Sequence, residues 1–299
     1  MGTVFRVTAH CPNDVSGSIE AELAAVDGEM STYRPDSLLS RFNQAEVDTW
    51  FAISADLLHV VQAAQSMSRR SEGAFDITVG PLVNLWGFGP DGHDRPLPSQ
   101  PELRRARSRV GYAKLELRRQ PPALRKRSDV YVDLSAIAKG HGVDRVAERL
   151  QAQGCTDYMV DIGGEVRVLG VNPQGQPWRI GIEVPDSGSI GKVQRILSLE
   201  SMAVATSGDY RNYVEHGGER FSHTIDPRSG RPIRHGLASV TVVHESALWA
   251  DAYATAINVM GFDAGWAFAE EENLPVLLIM RSANGFEDRY NAAMEAFLP

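Results

Sequence analysis

The sequence predicts an α+β fold in which a mixed, largely antiparallel sheet carries flanking helices. Strand-like runs dominate the middle and later chain and are joined by connections of hairpin length. Helical segments are interspersed among them without the regular βαβ alternation of a doubly wound sheet. The paired glycines of Asp161-Ile162-Gly163-Gly164-Glu165 do not fit the Gly-x-Gly-x-x-Gly fingerprint, and no Gly-x-x-x-x-Gly-Lys-Ser/Thr loop occurs, so Rossmann and P-loop readings fall away.

Taken in order, Met1-Gly2-Thr3-Val4-Phe5-Arg6-Val7 alternates as a strand does, and Ser16 opens an amphipathic helix to about Met30. A polar turn at Tyr33-Arg34-Pro35-Asp36 precedes a helix from Ser54 that carries Leu57, Leu58, Val61 and Ala64 on one face and stops near Gly73. Dense Gly and Pro over 87–101 predict an irregular excursion, followed by a short basic helix opened by a Ser99/Glu102 capping box. The basic stretch 117–127, broken by two prolines, reads as a solvated turn between strands. Strands are expected at 130–134, 158–161, 165–169, 178–184, 195–199 and 238–243, with a hairpin turning at His216-Gly217-Gly218. Ser246 caps a helix ending at Met260 with Gly261 as its stop, and 274–280 reads as a buried strand.

Composition narrows the function classes. In 299 residues, 30 Lys and Arg face 38 Asp and Glu, a net charge of -8 that argues against a general nucleic-acid binder. Hydrophobic residues at 43% supply an ample core, and no apolar run approaches the ~20 residues that span a bilayer. The first residues read as a strand rather than as a charged segment followed by a signal core. Cys11 and Cys155 lie far apart without ligand spacing or a disulfide framework and read as incidental small hydrophobes.

Five constellations could carry chemistry. Asp251 and Thr255 are four apart, which places a carboxylate and a hydroxyl, both hard oxygen donors, on one helical face. The surrounding Ala250, Ala252, Ala254 and Ala256 leave room for a substrate, and magnesium needs few protein ligands beside substrate phosphates. The segment from Val132 to Gly140 reads as a strand turning into a helix, with Asp133 and Lys139 bringing opposite charges to the junction. An N-cap and a surface lysine would give the same pattern. Asp161-Ile162-Gly163-Gly164-Glu165 permits a tight turn or a close backbone approach. His223 at a strand end, before a Pro-led turn closed by Gly230, could accept a proton near neutrality or merely hydrogen-bond a loop carbonyl. Tyr33 and Phe75 offer rings that either stack on a flat ligand or pack against the protein.

In this order the pieces resemble the ApbE family of FAD:protein FMN transferases over nearly the whole chain. The matching blocks are Met1-Gly2-Thr3, Met30-Ser31-Thr32-Tyr33-Arg34, Gly73-Ala74-Phe75-Asp76, Asp133-Leu134-Ser135-Ala136-Ile137-Ala138-Lys139-Gly140, Asp161-Ile162-Gly163-Gly164-Glu165, Ser207-Gly208-Asp209-Tyr210, His223-Thr224-Ile225-Asp226-Pro227 through Gly230, and Asp251 with Thr255. The resemblance implies one two-lobed ApbE-like domain over 1–299. It implies an FAD site in which Met1 and Tyr33 border the isoalloxazine ring, Ala74, Phe75 and Asp76 line the cleft, and Asp133, Lys139 and Ile225 complete it. The Ala136 carbonyl, the Asp251 carboxylate and the Thr255 hydroxyl are implied magnesium ligands. Where some members carry a second acid three residues after the metal aspartate, this chain has Ala254.

The activity so implied is magnesium-dependent cleavage of FAD, with FMN attached through a phosphoester to a Thr or Ser of a target protein and AMP released. His223 is the candidate acceptor of the hydroxyl proton. An FAD pyrophosphatase on the same scaffold and a non-catalytic FAD-binding protein are the alternatives. By resemblance, the partners are acceptor subunits of membrane electron-transport complexes bearing a flavinylation motif, the location is the periplasmic side of the cell envelope, and membrane association is expected only through a lipid anchor absent from this chain.

Overall fold

A computed structural model of the chain describes residues 2–89, 96–186, 188, 191–208, 213–216, 219–283 and 285–299. Met1, Asp209, Tyr210, Gly217 and Gly218, all drawn on above, lie outside the described residues. The chain divides into two compact units, one of residues 1–25, 137–211 and 235–299, the other of residues 26–136 and 212–234.

The first unit is built on a seven-stranded sheet in the order Phe5–His10, Asp157–Ile162, Glu165–Leu169, Ala203–Gly208, Leu237–His244, Val276–Ser282 and Gly285–Tyr290. Every neighbouring pair is antiparallel. The period-2 pattern works as expected along Asp157–Ile162. Tyr158, Val160 and Ile162 point into a cluster with Val143, Val146, Ala147 and Leu150 of the helix Ala138–Ala152, while Met159 packs on the opposite face. That opposite face is covered by the two-stranded ribbon of Trp178–Glu183 and Val193–Leu199, whose Trp178, Ile182, Leu197 and Leu199 meet Val166, Val243 and Leu277. Leu237–His244 is covered on both faces and buried over seven of its eight residues.

Two helices, Ala138–Ala152 and Ala247–Met260, pack against each other. Ser246 caps the second by accepting from Trp249 N, and Gly261 ends it at φ 79°, as the sequence predicts. Their backbones approach so closely at Gly140 that a Cβ there would sit 2.2 Å from the Ala247 carbonyl oxygen. Only glycine fits that crossing.

Cys11 and Cys155 form a disulfide, which corrects the expectation of two unrelated small hydrophobes. Their separation of 144 residues hid the reason. Phe5–His10 pairs with Asp157–Ile162 in the register His10↔Asp157, which sets the residues just beyond each strand side by side. Among the described residues, no helix is long and apolar enough to cross a membrane.

The second unit contains the helix Ala55–Arg70, capped by Ser54 and burying Leu57, Leu58, Val61, Ala64 and Met67. A three-stranded sheet follows, in the order Phe51–Ala52, Ala123–Lys126, Leu115–Arg118. The stretch 117–127 is therefore mostly paired strand, with the turn confined to residues 119–122, which corrects the solvated-turn reading. Lys126 is 3% exposed and donates to the Asn43 carbonyl at 2.7 Å, and Trp50 lies under the guanidinium groups of Arg118 and Arg125.

The strand expected at 130–134 is absent; the segment pairs with no strand. Its edge is satisfied by one side chain, since Asn43 Oδ1 accepts from Val132 N at 2.8 Å and Asn43 Nδ2 donates to the Val132 carbonyl at 2.9 Å. The hairpin is as expected, Tyr213–His216 pairing antiparallel with Glu219–Ser222.

Candidate functional site

In the first unit, three charged side chains far apart in sequence converge. Lys139 lies in the first turn of Ala138–Ala152, Glu165 opens the strand after the Gly163-Gly164 turn, and Asp251 lies in the second turn of Ala247–Met260. The glycines adopt φ 66° and 103°, which L side chains rarely do, so the turn places Glu165 where other sequences could not. Lys139 Nζ contacts Glu165 Oε1 closely and stands 3.9 Å from Asp251 Oδ1. Asp251 Oδ2 accepts from Gly140 N at 3.1 Å, at the positive end of the first helix.

The electrostatics of this cluster are unbalanced. Asp251 is 3% exposed and Glu165 2%. Burial raises the Asp251 pKa, against the pull of Lys139 and the Gly140 N–H. Burial also raises Glu165 to about 7, with Lys139 opposing and Asp251 adding to the rise. Burial disfavours the Lys139 ammonium, yet Asp251 and Glu165 together hold its pKa above the ordinary lysine value. Two carboxylates against one ammonium leave an excess negative charge, and Glu165 Oε2 is buried with no hydrogen-bond partner.

Thr255, one turn beyond Asp251, places its Oγ1 3.2 Å from Ser207 Oγ of the neighbouring strand. A buried carboxylate, a hydroxyl on the same helical face and an uncompensated negative charge are the chemistry of a hard divalent cation, so these residues fit magnesium. Ala254 is fully buried and offers no donor. Among the described residues, no group of three or more His, Cys, Asp or Glu side chains gathers as a metal cage. Ala136, the carbonyl expected to join the ligands, lies in the turn just ahead of Ala138–Ala152.

Of the residues expected to hold FAD, those in the second unit fall into four stretches, at Tyr33, Ala74-Phe75-Asp76, Asp133 and Ile225. Tyr33 is 67% exposed, its hydroxyl pKa raised by partial burial and by the charge of Asp133. Asp133 closes a local turn by accepting from Ser135 N and Oγ at 2.8 and 2.5 Å, while its own N–H donates to the Ile77 carbonyl at 2.7 Å. That last bond ties Asp133 to the segment Ala74-Phe75-Asp76. Ala74 and Phe75 are buried at 1% and 2%, so Phe75 packs inside and the open ring is that of Tyr33.

Asp76 is a buried carboxylate of a different kind. Its Oδ1 accepts from Thr78 N and Oγ1 at 2.8 and 2.7 Å, and its Oδ2 accepts from Tyr112 N at 2.9 Å. Burial raises its pKa and these bonds oppose the rise. His223 is half-buried beside the Phe88 ring, and Ile225 is buried among Leu82, Trp86, Leu103 and Phe221. The turn after Ile225–Asp226 closes as expected, with Gly230 at φ 75° and its carbonyl accepting from Trp86 Nε1 at 3.0 Å.

Sequence reasoning missed two residues of this constellation, Glu165 and Ser207. Both fall inside motif blocks, but Glu165 reads there as the end of a glycine turn and Ser207 as one of several small polar residues. An acid directly after two glycines that need positive φ was the available signal.

Comparison with known proteins extends these observations over the whole chain. The model of the ApbE family matches residues 1–278. A Vibrio cholerae protein described as FAD:protein FMN transferase is 47% identical across all of this chain and 90% of its own length. One from Haemophilus influenzae with the same description is 46% identical over 99% of this chain and 88% of its own. Among solved structures, flavin transferase ApbE from Vibrio cholerae superposes with a TM-score of 0.90 at 44% identity, covering 100% of this chain and 96% of that one. Pseudomonas stutzeri flavinyl transferase ApbE in its apo form gives 0.91 at 39% identity, covering 100% and 94%. With that agreement in sequence and in fold over its full length, the chain belongs to the ApbE family.

Proposed function

We propose that this enzyme is an FAD:protein FMN transferase that works with magnesium as a single functional domain over residues 1–299. The observation that carries the reading is the buried, under-compensated pair of carboxylates beside a hydroxyl and a helix N-terminus, at motif positions of a family whose relatives are described as flavin transferases. Asp251, Thr255 and the Ala136 carbonyl would hold the cation; bound there, it supplies neutralising charge to the FAD diphosphate. Lys139 adds a second positive charge, its side chain about one third exposed and so accessible to a phosphate oxygen.

The remaining steps fall to side chains and substrates. Tyr33 stacks on the isoalloxazine ring, and Ala74, Phe75, Asp76, Asp133 and Ile225 shape the rest of the FAD site, with Met1 at its border. An acceptor Thr or Ser hydroxyl oxygen bonds to the phosphorus on the FMN side. The bond from that phosphorus to the bridging oxygen breaks, AMP departs with that oxygen, and His223 takes the hydroxyl proton. Because the transition state of phosphoryl transfer is loose, positioning and charge contribute more than the base.

The partners are acceptor subunits of membrane electron-transport complexes that carry a Thr/Ser flavinylation motif, and the location is the periplasmic side of the envelope. The disulfide between Cys11 and Cys155 supports an oxidising compartment. Incubation with FAD and magnesium, with and without an acceptor, tests the reaction. The transferase reading expects AMP release that depends on the acceptor and matches covalent FMN on it; rapid acceptor-independent release would make the protein a pyrophosphatase.

A further inference from the structure

Lys139 stands between two buried carboxylates and favours one of them. It is in close contact with Glu165 but 3.9 Å from Asp251. Both acids are nearly inaccessible to water, so each attracts an ammonium with little screening. Their backbones are fixed, Glu165 by its pairing opposite Ile162 and the glycine turn, Asp251 by its helix and the Gly140 N–H. The lysine stem is long and flexible, so the position of its head group is set by competition between the two anions.

We propose that Glu165 is a positioning residue that draws the Lys139 ammonium away from Asp251 and so keeps Asp251 Oδ1 open to a divalent cation. This rests on the reading of Asp251 as a cation ligand. A second observation marks Glu165 as more than half of a structural ion pair. It is 2% exposed, yet its Oε2 has no hydrogen-bond partner, whereas a purely structural buried carboxylate is expected to have both oxygens satisfied. Without Glu165, the ammonium closes the remaining gap to Asp251, and an incoming cation must displace it.

The test uses Mn2+ as the probe, titrated into the FAD-free protein and followed by electron paramagnetic resonance of the unbound ion. Wild type binds and Asp251→Ala does not. Glu165→Gln, nearly isosteric, weakens binding about tenfold or more, within the usual range of coupling between neighbouring sites. Adding Lys139→Met to Glu165→Gln restores binding to near the wild-type level. A crystal structure of Glu165→Gln shows Lys139 Nζ at hydrogen-bond distance from Asp251. Equal Mn2+ affinity in wild type and Glu165→Gln, or a lysine that stays in place in that crystal, overturns the proposal alone. Equal binding by wild type and Asp251→Ala overturns the metal reading and this proposal with it.

Discussion

Two buried carboxylate sites, one in each unit, differ in how far the protein itself satisfies their charge. Asp76 receives three hydrogen bonds that use both of its oxygens, and it fastens the loop 74–78 to the backbone at Tyr112. Asp251 and Glu165 share one ammonium and one backbone N–H, and an oxygen of Glu165 is left without a partner. Burial raises the pKa of all three acids. What differs is whether the protein itself repays the desolvation. Asp76 organises its own surroundings, while the Asp251 cluster keeps a negative charge that its single ammonium does not balance.

The sharpest way to break this contrast is to remove each acid and measure both activity and stability. Asp251→Ala should lower transfer of FMN to an acceptor by about a thousandfold, the scale of losing a key electrostatic stabiliser. Its thermal midpoint without metal should be no lower than wild type. Asp76→Ala should show the reverse weighting, losing about 3 kcal/mol of stability in denaturant titration as three hydrogen bonds go. If Asp251→Ala unfolds the protein and Asp76→Ala does not, the assignment of roles is inverted.

The first unit's frame can be tested in the same terms. Breaking the Cys11–Cys155 bridge by Cys11→Ser with Cys155→Ser, which frees a closed loop of 144 residues, should cost about 2–5 kcal/mol, read as a lower denaturant midpoint. Gly140→Ala should cost about 1–3 kcal/mol through overpacking against Ala247 and should weaken cation binding as well, because Gly140 also holds Asp251.

A pH experiment refines the comparison at Glu165. Its pKa rises from 4.5 to about 7 on folding, so between those values the folded protein holds a proton that the unfolded chain has lost. Metal-free stability should therefore fall as pH rises through that window, and Glu165→Gln should flatten the slope. Smallest of all, Tyr33→Ala should raise the KM for FAD by roughly twofold to tenfold, the worth of one aromatic contact, with stability nearly unchanged because the ring is mostly exposed.

Features controlled by local chemistry were legible in the sequence. The caps Ser54 and Ser246, the capping box at Ser99, the stop at Gly261 and the Asp251/Thr255 pairing all depend on residues within a turn or two of each other. Features controlled by distant partners were not. The Val-Tyr-Val pattern of 130–132 has the composition of a strand, but its neighbour turned out to be the amide of Asn43. The strand Ala203–Gly208 was missed because its small residues give a weak strand signal, although tertiary packing places it centrally in the sheet. The Cys11–Cys155 pairing required the strand register, and Glu165 required three separate segments to meet. The candidate site was thus half visible: its donors could be named, whereas their mutual compensation could be read only in three dimensions.

In the reaction we propose, Asp251 grips a divalent cation beside FAD while FMN passes to a protein hydroxyl. Intact-mass measurement of an acceptor protein, incubated with FAD and this enzyme, addresses it directly. Covalent FMN is expected on the acceptor with wild type and magnesium, and none with excess chelator or with Asp251→Ala. Undiminished labelling under either of those conditions would contradict it.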